Sequence, residues 1–141
     1  MDLKNLREQE LFDLIKSTVL PDLVTARHQF SKWDCYSPKS RARIELKCRR
    51  THYDTLVIER KKYDALMDKA VRNNDRPLYI NSTPNGVYSF DLSVIDEPDW
   101  FMKSMPETTE FSSRHYIKKE VGMLSVKSAS NIKELLLNIQ P

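Results

Sequence analysis

A chain of 141 residues, 40% hydrophobic and 30% charged, is long enough to bury one core and too apolar to stay disordered. Its formal net charge of +3 argues only weakly for a polyanionic partner, and its two glycines exclude Gly-rich phosphate loops and dinucleotide-binding turns. No apolar run is long enough to span a bilayer, no secretory signal opens the chain, and Cys35 and Cys48 lack metal-ligand spacing. The expectation is a soluble protein of a reducing, cytoplasmic interior whose thiols are small buried side chains.

Leu3, Leu6, Leu11, Phe12, Leu14 and Ile15 recur at helical spacing, which predicts an amphipathic helix over residues 3–19 that Pro21 ends. RHQFSKWDCY reads as a strand anchored by Phe30 and Trp33, SPKS as a turn and RARIELKCR as a second strand, together a hairpin. DTLVIERKKYDALMDKAVRNN starts β-rich and turns helical by about Glu59, with Tyr63, Leu66, Met67 and Ala70 on one stripe. PLYINSTPNGVYSFDL is a strand, a turn and a strand, with Asn85-Gly86 as the hairpin signal. The proline-punctuated segment 96–116 is expected to be irregular. IKKEVGMLSV reads as a last strand, and SASNIKELLLNI as a final helix capped by Ser130. This order predicts one α/β domain over residues 1–141, with a central mixed sheet flanked by helices.

The charged strand raises the functional question. Glu45 and Lys47 alternate with Ile44, Leu46 and Cys48, so the two charges share one face of the strand and the apolar residues the other. Asp34 is expected near one end of the partner strand, across from them. Two carboxylates a few ångströms apart can grip Mg²⁺, and a lysine two residues on can reach a scissile phosphate or an attacking water as a point charge. Around them crowd Lys39, Arg41, Arg43, Arg49 and Arg50, followed by Lys61 and Lys62 as basic residues that could face a nucleic acid.

Asp34, the turn CYSPKSRAR and Glu45-Leu46-Lys47 resemble the signature of the PD-(D/E)xK nuclease superfamily, an acid at one strand's end followed by Glu/Asp-x-Lys in the next. The flanking order, a helix before the hairpin and another after it, extends the likeness over the first half of the chain. The resemblance implies a restriction-endonuclease-like core and a Mg²⁺ ion, for which Mn²⁺ would substitute. Asp34, Glu45 and the Leu46 carbonyl would hold the ion, and Lys47 would assist the nucleophile. It also implies a Glu on the first helix facing the metal: Glu8 and Glu10 are the candidates, and the helical projection favours Glu10. The activity implied is hydrolysis of DNA phosphodiesters by a small enzyme, such as a Holliday-junction resolvase or a phage recombination or repair endonuclease. A resolvase would act as a homodimer.

RNA stays open as a substrate, since nothing here reads a 2′-hydroxyl. A non-catalytic nucleic-acid-binding or protein-interaction module on the same fold is the alternative from another class. His28, His52 and His115 lack the paired spacing of a zinc site, and Trp33 and Trp100 read as core residues. No serine has a GxSxG context.

Overall fold

Burial alternates along residues 42–48: Ala42, Ile44 and Leu46 are buried, while Arg43, Glu45 and Lys47 take the other face. This is the central strand of a computed structural model that describes residues 2–25, 34–107 and 115–132. In chain order its elements are α1 (Glu8–Thr18), β1 (Val24–Thr25), β2 (Asp34–Ser37), β3 (Ala42–Cys48), β4 (Thr55–Glu59) and α2 (Arg60–Asn73). There follow β5 (Arg76–Thr83), β6 (Gly86–Asp91), β7 (Phe101–Pro106), β8 (Tyr116–Ser125), a short 3-10 turn (Val126–Ser128) and β9 (Ser130–Asn131).

The α/β expectation holds, and the main sheet is mixed. Six strands run in the order β1-β2-β3-β5-β6-β9, antiparallel throughout except for the parallel β3–β5 pair. Parallel neighbours need a crossover, which β4 and α2 supply. β4 does not join the main sheet; it heads a second, three-stranded antiparallel sheet, β4-β8-β7.

Two cores follow from the two faces of the main sheet. Leu11, Phe12 and Ile15 of α1 pack with Cys35, Ile44, Leu46, Leu78 and Ile80 on one side. On the other, Tyr79 and Phe90 meet Tyr63 of α2 and Leu56, Ile58 and Leu124 of the small sheet. Glu45 and Lys47 lie on this second side, because they stand opposite Tyr79 and Asn81 in the parallel ladder.

Several expected boundaries move, for local reasons. The first helix starts at Glu8, where the Glu10 carboxylate accepts the backbone N–H of Arg7 at 3.2 Å and closes the helix start. The β5–β6 loop is Pro84-Asn85, flanked by the Thr83–Gly86 pair, so Gly86 is the first strand residue and not part of the turn. Proline fixes a negative φ, and Gly86 has no positive φ either; a Cβ there would meet the Asn131 amide at 2.9 Å. The segment expected to be irregular contains β7, paired with β8 from Phe101–Val121 to Pro106–Tyr116. Ser130 pairs with Ser89 in β9, Ile132 is helical, and the rest of the expected final helix lies outside the described residues, as do Phe30 and Trp33. None of the described helices is long and apolar enough to cross a membrane.

Candidate active site

The β2–β3 hairpin sets the register Asp34–Glu45, Cys35–Ile44, Tyr36–Arg43 and Ser37–Ala42. Its loop, residues 38–41, is closed by the Arg41 N–H on the Pro38 carbonyl at 3.3 Å, with Arg41 in the left-handed region at φ 51°. Two side-chain bonds hold Arg41 there, to the carbonyls of Asn73 at 2.9 Å and Asn74 at 3.0 Å, at the C-terminal end of α2.

Asp34 and Glu45 are therefore direct cross-strand neighbours, the placement in which like charges repel. Their carboxyls are hydrogen-bonded, and the Glu45 side chain is only 16% exposed. Burial first, and then the bond and charge of Asp34, push the Glu45 carboxyl up to about 8. Two acids in contact call for positive charge beside them.

Part of that charge comes from α2. Lys62 Nζ lies 3.5 Å from Glu45 Oε1 and 4.0 Å from Glu59 Oε2, and Lys119 of β8 meets Glu59 Oε1 at 2.9 Å. Burial works against the Lys62 ammonium, but Glu45 and Glu59 outweigh it and hold its pKa above the ordinary value. Lys47 is shifted the other way, lowered by burial and then by the like charges of Arg49 and Lys62, with Glu8 and Glu59 opposing. A lysine so placed gives up a proton more readily than one in water.

The expected first-helix carboxylate is redistributed. Glu10 is exposed and engaged by Arg7, whose Nε reaches it at 3.0 Å, and it is turned away from the core side. Glu8 is half-buried, and its charge acts on both Lys47 and Cys48 at the end of β3.

The basic cluster divides into internal and surface residues. Arg43 bonds Asp75 at 2.9 Å and stacks 4.1 Å above the Tyr36 ring; Asp75 is 1% exposed and also attracts Arg41 at 3.7 Å. Arg49 donates to Asn81 Oδ1 at 2.7 Å, the Val57 carbonyl at 2.6 Å and the Tyr79 hydroxyl at 3.1 Å. It thereby fastens β4 to the main sheet. Lys39, Arg50 and Lys61 are exposed.

Among the histidines, His52 is held by Thr83 at 2.9 Å and Asp54 at 3.4 Å, a structural setting, and His28 lies outside the described residues. Trp100 is partly buried and packs edge-on to Tyr63 at 5.1 Å, against the second core and not within it. Sequence reasoning missed Glu59 and Lys119, whose only signal was a carboxylate at the strand-to-helix junction after a charged hairpin.

Mg²⁺ suits the donor set. Asp34 and Glu45 offer hard oxygens from directly paired positions, where a cation would relieve the repulsion between the two carboxyls. Among the described residues no group of three or more His, Cys, Asp or Glu could hold a metal, so the protein would supply two carboxylates and the remaining ligands would be oxygens such as the Leu46 carbonyl, water or substrate phosphate. Such a set would suit partly hydrated Mg²⁺ or Mn²⁺ and is unlike a zinc cage. No protein-family model, curated protein or solved structure matches the chain.

Proposed function

We propose that this protein is a metal-dependent nuclease that hydrolyses DNA phosphodiesters at the face of β3. The observation that carries the reading is the direct pairing of Asp34 with Glu45, with Lys47 two residues on along the same face. The order of a helix, an acidic hairpin and a second helix fits a restriction-endonuclease-like core. The chemistry supplied by a bound Mg²⁺ would be neutralisation of phosphoryl charge and a lowered pKa of a coordinated water.

The chain's own residues have distinct tasks. Asp34 and Glu45 present the hard oxygens from two adjacent strands, a rigid base that preserves their spacing. Lys47, with a lowered pKa, is suited either to accept a proton from the attacking water as the neutral amine or, as the ammonium, to orient that water and face the phosphate. Arg49 holds β4 against the main sheet beside this face through its bonds to the Val57 carbonyl, Asn81 and the Tyr79 hydroxyl. Lys39, Arg50 and Lys61 remain at the surface for phosphate contacts, and the compact fold suits a structure-selective enzyme such as a junction resolvase or a phage-type recombination or repair endonuclease. Symmetric cutting of two strands would require a homodimer.

One observation favours a non-catalytic binding module instead: Lys62 already provides Glu45 with a cation. The experiment that separates the two is cleavage of linear, single-stranded, flapped and four-way-junction DNA, and of RNA, with Mg²⁺ or Mn²⁺. Glu45→Ala and Lys47→Ala should each lose metal-dependent cutting by about 10³-fold or more. Absence of cutting by the wild type on every substrate would favour the binding module.

A further inference from the structure

Two carboxylates contend for one ammonium beside the Asp34–Glu45 pair. Lys62 Nζ stands between Glu45 Oε1 at 3.5 Å and Glu59 Oε2 at 4.0 Å. Glu59 precedes α2 and Lys62 belongs to its first turn, so helix geometry keeps the two within reach whatever happens at Glu45. Lys119 binds the other oxygen of Glu59, Oε1, at 2.9 Å and leaves Oε2 for Lys62.

We propose that Lys62 is a tethered counter-ion that holds Glu45 when no divalent cation is bound and passes to Glu59 when one binds, making Lys62 and Glu59 positioning residues of the site. This rests on Asp34 and Glu45 being cation ligands. An ammonium and a divalent cation at the same carboxylate repel one another, and at a partly buried site salt screens that repulsion poorly. The lysine head is a compact charge on a flexible stem, so a move of about one carboxylate width costs little. Glu59 is the receiving group, one short step away and already fixed by Lys119. Lys61, the residue before it, is exposed and does not take this position.

The test is binding of Mn²⁺ alone to the full chain, read by electron paramagnetic resonance, for wild type, Lys62→Met, Lys62→Arg and Glu59→Gln. Lys62→Met should bind Mn²⁺ about tenfold more tightly, since removing a nearby like charge from a weakly screened site is worth about that factor. The gain survives competition by the proton, because a doubly charged ion feels the ammonium twice as strongly. Lys62→Arg should restore affinity near wild type, and Glu59→Gln should weaken it, because the ammonium then has Glu45 alone. Should Lys62→Met fail to fold, Lys62→Gln carries the same comparison.

Equal or weaker binding by a folded Lys62→Met, with wild type still binding Mn²⁺, would overturn this proposal and leave the metal site standing. No Mn²⁺ bound by any of the proteins would overturn both.

Discussion

Asp34 and Glu45 stand opposite each other across the β2–β3 ladder and share a hydrogen bond between their carboxyls, so the hairpin holds an acid pair that resists full ionisation. An ordinary Glu titrates near 4.5, and here burial and Asp34 push Glu45 to about 8. The native state thus binds the proton more tightly than the unfolded chain. That stabilisation is complete below pH 4.5 and is lost as pH rises through 8. Replacing Glu45 with Gln, which cannot ionise, should raise the thermal midpoint relative to wild type at pH 9 and change it little at pH 5. The difference corresponds to a few kcal/mol, roughly. Melting curves across that range check this, and added Mg²⁺ should narrow the gap at pH 9.

Glu8 and Glu10 should separate functionally. Glu8→Gln removes a charge that acts on Lys47 and should slow metal-dependent cleavage by about tenfold, the effect common for groups just outside a metal site. Glu10→Gln breaks only its contacts with Arg7 and should leave cleavage unchanged with a slightly lower thermal midpoint. Parallel kinetics and melting of both variants decide it.

Arg49→Ala should destabilise the protein by about 3 kcal/mol, because it removes three hydrogen bonds and strips Asn81, which is fully buried, of the partner of its Oδ1. Arg49→Lys should recover little, since an ammonium cannot reproduce the guanidinium fork that reaches an amide, a carbonyl and a hydroxyl together. Urea unfolding of the three proteins measures both effects.

The two glycines should behave differently when replaced by alanine. A Cβ at Gly122 would lie 2.6 Å from Pro98 Cγ and 2.7 Å from Pro98 Cβ, atoms of a rigid ring, so Gly122→Ala should cost about 1–3 kcal/mol. At Gly86 the obstacle is the far end of the Asn131 side chain, at 2.9 Å, which can swing aside. Gly86→Ala should cost less, and denaturant midpoints will order the two.

The Asp34–Glu45 pairing was legible in the sequence because a hairpin is local: the four-residue loop and the alternation of residues 42–48 fix its register. The fate of the arginines was not. Arg43 looks the same in sequence whether it faces a phosphate or Asp75, 32 residues later, and only the parallel β3–β5 pairing brings that carboxylate under it. β7 was hidden for another reason: four of its six residues are exposed and its last is proline, so it carries no buried alternation to betray a strand. Glu10 misled because a projection ignores the start of the helix, where Arg7 claims that carboxylate. Glu59 left no trace, since its importance comes from Lys62 and Lys119 arriving from two other elements.

The parallel neighbour of β3 also shapes how the protein assembles. The acid hairpin closes through a four-residue loop, an event of microseconds, whereas β5 can reach β3 only after β4 and α2 have been laid down and folded back. Lys62 travels on that returning segment. A hairpin that forms ahead of that segment would bring the two acids together without their lysine, and refolding should then be faster at mild acidity, where Glu45 carries its proton, than at neutral pH.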